Sequence, residues 1–304
     1  MSFVESLQAA QQTLSTALAQ QASPFIVNQH KIAQCIALMS DELSRVNYQS
    51  EISYLMLRDI NKPLAAQISP FTEADWQHVV ERWQGFVKSP ECPKMVCTQG
   101  EQGYMANMLM TTFIAGQYRY NDEVKVAKDE IFVDCGACFG DTALWAYQQG
   151  AAEVYSFEPS PYNFAVLERN IEANNHDKSK CFNLAVGEAK GKLSFAAAPG
   201  MAGASHADAH GNIQVDCVVL DDFFAEHNIK PTFLKFDIEG AEYGALKGCR
   251  KTITELKPKL TVCLYHQISD MWRLPLLIHE MVPEYRFYCR KNNVHNEFIL
   301  YATI

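Results

Sequence analysis

Two short segments of this 304-residue chain carry side chains whose types and spacing could do chemistry. The first is Val133-Asp-Cys-Gly-Ala-Cys-Phe-Gly-Asp-Thr142, followed further on by Phe157-Glu-Pro-Ser-Pro161. An apolar run enters Gly136, turns again at Gly140 and continues into a helical pattern. Glycine lets a backbone turn sharply and approach a ligand closely, and a helix N-terminus offers free N–H groups at its positive end. Glu158, at the end of the next apolar run, has a carboxylate suited to two ribose hydroxyls. The second segment is Phe233-Leu-Lys-Phe-Asp-Ile-Glu-Gly-Ala-Glu242. Asp237, Glu239 and Glu242 crowd around Gly240. Carboxylates this close repel one another, which suggests a use: holding a cation, placing a polar substrate or acting as a base. His266, at the end of the apolar run Leu260–Tyr265, falls at the same edge by topology and is a fourth catalytic candidate.

Other clusters are less telling. Cys135 and Cys138 have C-x-x-C spacing, but they lie in the glycine-rich turn and no second Cys/His pair stands at zinc-site spacing. Cys92 and Cys97 flank a proline-containing loop. The ten cysteines are irregularly spaced, as in reduced cytosolic thiols rather than a disulfide framework. His206 and His210 have H-x-x-x-H spacing but sit in a Gly/Ala loop. No metal is expected.

The elements that must position these residues divide near residue 120. Residues 1–120 read as helical. Val4, Leu7, Leu14 and Leu18 form one stripe, and Ile32, Cys35, Ile36, Met39 and Leu43 another. Ile52, Leu55 and Met56 suggest a third helix. Thr72 is a fitting N-cap for a fourth, with Trp76, Val79, Val80 and Trp83 on one face. Lys88-Ser-Pro-Glu-Cys-Pro93 breaks the pattern. This region would serve as a lid, a substrate module or a dimerisation surface.

From about Asp129 short apolar runs alternate with helical ones. Strands are expected at 130–135, 153–158, 180–186, 233–238 and 259–265, with helices near 141–149, after Ser160-Pro161 with Phe164, Leu167 and Ile171 inward, up to Gly248, and at 269–281. Residues 192–197 and 213–220 suggest an added hairpin, and 285–289 with 297–304 a closing antiparallel pair. The alternation predicts an α/β fold in residues 121–304: a doubly wound, mostly parallel sheet with a final antiparallel strand. Nucleotides bind such sheets in the crevice beyond the carboxyl ends of the strands.

The glycine loop and Glu158 alone suit either a dinucleotide or S-adenosylmethionine (SAM). Gly-x-Gly-x-x-Gly, the tighter set a pyrophosphate needs, is absent, which tilts the reading to SAM. Four segments then appear in order: Asp134-Cys-Gly-Ala-Cys-Phe-Gly-Asp-Thr, Phe157-Glu-Pro-Ser-Pro, Asn183-Leu-Ala-Val-Gly-Glu and Leu234-Lys-Phe-Asp-Ile-Glu-Gly-Ala-Glu. Together they resemble the FkbM family of SAM-dependent methyltransferases over roughly residues 125–300. That resemblance implies a seven-stranded Rossmann-like sheet, SAM as cofactor, and methyl transfer to an oxygen of a sugar, glycan or secondary metabolite. It places Asp134, Gly136, Ala137, Gly140 and Thr142 around the methionine part, and Glu158 and Pro159 at the ribose. It places Ala185 and Val186 near adenine, and Asp237 at the amino or methyl end. Competing readings are a SAM-fold binding or scaffold protein and an NAD-dependent oxidoreductase. The latter would want a tighter glycine loop, which is absent.

The formal net charge is −9 and the pI about 5.5. Such a chain lacks the broad basic field that holds nucleic acid. No run approaches ~18 apolar residues, so no membrane span is expected, and the N-terminus lacks secretory-signal patterning. The expected setting is cytoplasmic, with a small-molecule or glycan acceptor and a possible homodimer. Lys235, Arg273, Arg286 and Arg290 are the basic residues available to an anionic acceptor.

Overall fold

In a computed structural model, residues 24–58, 60–294 and 297–304 are described. The stripe of Val4, Leu7, Leu14 and Leu18 lies outside them. Six helices come first: α1 (Pro24–Val27), α2 (Gln29–Leu38), α3 (Glu42–Leu57), α4 (Lys62–Ile68), α5 (Glu73–Phe86) and α6 (Gln102–Leu109). A π-helical turn, Met110–Ala115, continues α6 and stops at the left-handed Gly116. The sheet domain then runs β1 (Ile131–Cys135), α7 (Asp141–Gln149), β2 (Glu153–Phe157), α8 (Pro161–Ala173), β3 (Cys181–Phe182), β4 (Ala185–Val186), β5 (Gly191–Ala196), β6 (His206–Ala207), β7 (Ile213–Val218) and α9 (Leu220–His227). It closes with β8 (Phe233–Phe236), α10 (Glu242–Gly248), α11 (Arg250–Leu256), β9 (Lys259–Cys263), α12 (Asp270–Met281), β10 (Arg286–Lys291) and β11 (Phe298–Thr303).

The main sheet has seven strands in the order β10-β11-β9-β8-β1-β2-β3. All are parallel except β11, which is antiparallel to both neighbours. The expected final antiparallel strand is therefore slotted between β9 and β10. Its residues, and those of β8, are buried throughout. This is why they read as near-continuous apolar runs, interrupted in β8 by Lys235, rather than as alternation. The order reverses at β1 and β8, so the crevice above those two strands is the switch point where ligands bind.

One strand expectation is corrected. Residues 180–186 do not form a single strand. β3 pairs with β2 in the main sheet, whereas β4 pairs with β7 in a separate four-stranded sheet ordered β4-β7-β5-β6. Between them the Asn183 amide donates to the carbonyls of Glu158 and Pro159, which fixes the departure from the main sheet. The expected hairpin is present as the antiparallel β5–β7 pair of that second sheet.

The helical region forms much as its stripes suggest, with local differences. Thr72 caps α5 through a reciprocal capping box with Asp75. Val79 is buried on α5, while Val80 faces solvent. Leu43 is exposed, because it begins α3 rather than ending α2. Helix α3 covers the β10 edge: the Ser44 hydroxyl accepts from the Cys289 N–H at 3.1 Å, and the Asn47 amide donates to the Cys289 carbonyl at 3.2 Å. Buried Lys291 on β10 pairs with buried Glu51 on α3 at 2.9 Å. Covering an edge strand this way removes a template for association. Among the described residues no helix is long and apolar enough to cross a membrane.

Candidate active site

A cavity of about 450 Å³ opens at the carboxyl ends of β1, β2, β8 and β9. Its floor is held by a buried ion pair. The Lys235 ammonium, on β8, lies 2.9 Å from Asp134 of β1 and donates to the Gly136 carbonyl at 2.7 Å. Burial pulls this lysine down, but Asp134 and Asp237 outweigh it and keep the ammonium charged. Asp134 thus sits beneath the cavity and acts on it through Lys235.

The turn after β1 is fixed by protein packing. Gly136 has φ +84°, and a Cβ there would stand 1.8 Å from the Asp237 carbonyl oxygen. Gly140, at φ +90°, would press a Cβ to 2.7 Å from Leu167 of α8. Gly136 borders the cavity, whereas Gly140 and Ala137 do not; they serve the packing of α7 and α8 on the sheet. Thr142 and Pro159 border it.

Glu158 presents its carboxylate to one end of the cavity. One oxygen accepts the Ser160 N–H at 2.8 Å and the other the Cys138 N–H at 2.9 Å. Burial pushes its pKa up to about 7 despite these two donors. Each oxygen keeps a second lone-pair direction for a hydroxyl donor. Next to it, Ala185 and Val186 line a narrow apolar slot with Leu184, Leu193 and Phe195. The slot shares Gly136, Pro159 and Ile238 with the surroundings of the main cavity.

The opposite end holds the second acidic segment. Asp237 accepts the Tyr118 hydroxyl at 2.7 Å and the Tyr265 hydroxyl at 2.9 Å. Burial favours its neutral form, but Lys235, His266 and Tyr118 prevail and hold it below the usual carboxylate value. The His266 Nδ1 lies 2.7 Å from Glu242, and its Nε2 lies 3.4 Å from Asp237 and 3.6 Å from Glu239. Burial lowers this histidine, yet the hydrogen bond and charge of Glu242, with Asp237 and Glu239, raise it to about 10. At neutral pH it is an imidazolium, a donor and not a proton acceptor. Glu242 is buried outside the cavity, and it also accepts the Ile238 N–H at 2.9 Å. Glu239, in a left-handed turn at φ +54°, is the partly open member. Burial, with Asp237 and Glu242, lifts it to about 7 against the pull of His266.

Three groups to which the sequence reading gives no role complete the cavity. Glu297, between β10 and β11, accepts from the Gln117 amide and is raised by burial and Asp237 to about 8. Asp141, at the start of α7, accepts the Thr112 hydroxyl at 2.6 Å, and burial brings it to about 6. Residues of α6 and the π turn, Tyr104, Asn107, Met108, Thr111 and Thr112, form a wall. Periodicity gave no hint of them, because a π turn breaks the helical repeat; such turns recur at functional sites.

The remaining candidates stay apart. Cys135 and Cys138 are free, as are Cys92 and Cys97, and burial pushes the Cys135 and Cys138 thiols up, away from nucleophilic thiolate. His206 is exposed on β6, and among the described residues no group of three potential ligands could hold a metal. Of the four basic residues, only Lys235 borders the cavity. Arg273 pairs with Asp270, and Arg286 with Glu123.

A doubly wound sheet with one antiparallel strand, and an acid-lined cavity at its switch point, define the SAM-dependent methyltransferase class. The model of the FkbM methyltransferase domain matches residues 134–293, over half of the chain, and the protein belongs to that family. Methyltransferase 1 of Beauveria bassiana (strain ARSEF 2860) is 28% identical over 145 residues, which cover 40% of this chain and 58% of the relative. The crystal structure of methyltransferase FkbM from Methylobacillus flagellatus KT matches with a TM-score of 0.59 at 21% identity, covering 93% of this chain and 60% of that one. That likeness speaks to the fold. The chain spans less than two thirds of either relative's length. Family membership sets SAM as the cofactor and sets aside the nicotinamide reading. The donor set suits SAM: a buried carboxylate with free lone pairs, an apolar slot beside it, and anionic groups at the far end.

Proposed function

We propose that the protein transfers the methyl group of SAM to a hydroxyl oxygen of a sugar, glycan or hydroxylated metabolite, with Glu239 as general base. Glu158 would accept the ribose hydroxyls. Ala185 and Val186 would flank the adenine, with Pro159 beside the ribose. Gly136, Thr142 and Asp237 would border the methionine portion, while Asp134, Ala137 and Gly140 support the turn from behind. Bound SAM supplies an already activated methyl group, so the protein's task is to align the acceptor and exclude water. The wall of α6 and the π turn supplies that enclosure.

One observation carries the choice of base. Of the four catalytic candidates, Glu239 alone combines access to the cavity with a pKa near the working pH. Asp237 is held ionised by Lys235, His266 and Tyr118 and is too weak a base. Glu242 fixes the His266 ring, and the charged ring faces Asp237 and Glu239. Glu239 would take the proton of the acceptor hydroxyl, whose oxygen would replace the cofactor sulfur on the methyl carbon. A screen with labelled SAM against nucleotide sugars, glycans and hydroxylated metabolites tests the reading. Label in a base-stable ether supports it. Label only in nitrogen- or sulfur-linked products rejects oxygen as the acceptor.

A further inference from the structure

The π turn has two faces. Thr111 and Thr112 look into the cofactor cavity, while Phe113, Ile114, Ala115 and Gly116 line a separate cavity of about 320 Å³ behind it. Three arginines meet there, Arg82 from α5, Arg119 after the turn and Arg290 from β10. Among the described residues none of the three pairs with a carboxylate. Arg82 donates to the Ile114 carbonyl at 3.4 Å and Arg119 to the Asn121 carbonyl at 3.2 Å. One Arg290 nitrogen, Nη2, donates to the carbonyls of Ala115, Gly116 and Arg119, and Nε donates to the Asn292 side chain. These acceptors are neutral, so three positive charges converge without an ion-pair partner among the described residues, in a chain of net charge −9. Arg286, by contrast, pairs with Glu123 at 2.7 Å.

Phe113, Ile114, Trp145, Arg82 and Gln149 also border an adjoining open bowl of about 750 Å³, which Phe86 and Pro90 complete. Its single acid, Glu91, borders only the bowl and not the arginine cavity. Charge therefore orients an occupant: anion toward the arginines, flat or apolar body toward the aromatic bowl. Guanidinium groups match phosphate oxygens geometrically, and aromatic walls favour an unsaturated body.

We infer that this groove is a second ligand site, distinct from the cofactor cavity, which takes a small phosphate monoester bearing a flat or apolar body. The occupant sits on the rear of the turn whose front carries Thr112, the hydrogen-bond partner of Asp141, so it can stiffen that wall of the cofactor cavity.

Calorimetric titration of the full-length protein with phenyl phosphate at low ionic strength is the test, because exposed charge interactions fade with salt. Phenyl phosphate should bind with inorganic phosphate weaker and phenol silent, and saturating S-adenosylhomocysteine should not displace it. Arg82→Gln combined with Arg119→Gln should weaken binding by about 10-fold, two lost charge-assisted contacts. Arg119→Gln alone, at an exposed side chain with one carbonyl contact, should weaken it by about 3-fold on the same basis and covers the case in which the double variant misfolds. Absence of heat at millimolar phenyl phosphate, displacement by S-adenosylhomocysteine, or unchanged affinity in folded arginine variants would each overturn the site.

Discussion

The two ends of the cavity are built by opposite means. At the Glu158 end, one carboxylate is anchored by two backbone N–H groups, and apolar side chains stand beside it. At the Asp237 end, three carboxylates surround one imidazolium, with two tyrosine hydroxyls and no backbone cradle around Asp237 beyond the strand itself. The first arrangement suits the hydroxyls and base of the proposed cofactor placement. The second is a coupled charge cluster in which protons can move. Under the proposed function, binding and chemistry would be divided between strand ends: β2 would serve the one, and β8 with β9 the other.

Gly136 joins the two ends, since its Cα faces the Asp237 carbonyl. Gly136→Ala should produce the largest effect, loss of soluble folded protein or a stability drop of at least about 3 kcal/mol, as a buried clash and a left-handed φ act together. Thermal denaturation reads it. Gly85→Ala is the control: open space surrounds that helical position, and the change should be neutral or stabilising by under about 1 kcal/mol.

If the division holds, Glu239→Gln should lower kcat by about 10²- to 10⁴-fold while leaving the SAM KM nearly unchanged, the range for loss of a general base. Unchanged kcat would remove Glu239 from the mechanism. Conversely, Glu158→Ala should raise the SAM KM by about 100-fold, from two lost hydrogen bonds to a charged acceptor at roughly 1.5 kcal/mol each, the lower end of their range. An effect confined to kcat would merge the two ends.

The pH dependence sharpens the comparison. Glu239 must be ionised to accept a proton, so kcat should fall about tenfold per pH unit below about 7 and level off above it. His266 acts in the other direction on stability. Its folded value of about 10 lies above its usual 6.5, so its stabilisation is complete below pH 6.5 and is lost as pH rises toward 10. The deficit of His266→Ala, about 3 kcal/mol for breaking a buried charge cluster, should therefore shrink between those pH values in denaturant titrations.

Legibility followed the same division. The Glu158 end could be read from sequence because its parts lie on one β-α-β run, where Gly136 and Glu158 have fixed offsets. The acids Asp237, Glu239 and Glu242 were visible as a local cluster, and His266 was placed by topology. Their roles were not visible. Only the fold shows that Glu242 is buried behind His266, or that Asp134 is spent on Lys235. Glu297 and Thr112 gave no local signal, as they enter from a hairpin and a π turn far apart in the chain. The break of residues 180–186 into β3 and β4 was hidden because both halves are apolar, and the Asn183 side chain decides which sheet each joins.

The most direct test of the central claim is calorimetric titration of S-adenosylhomocysteine into wild type, Glu158→Ala and Glu239→Gln at neutral pH. The account predicts one-to-one binding by wild type, equal affinity in Glu239→Gln within a few-fold, and loss of about two orders of magnitude in Glu158→Ala, for the hydrogen-bond energies above. Absence of binding by folded wild type at millimolar ligand, or loss in Glu239→Gln with retention in Glu158→Ala, would contradict it.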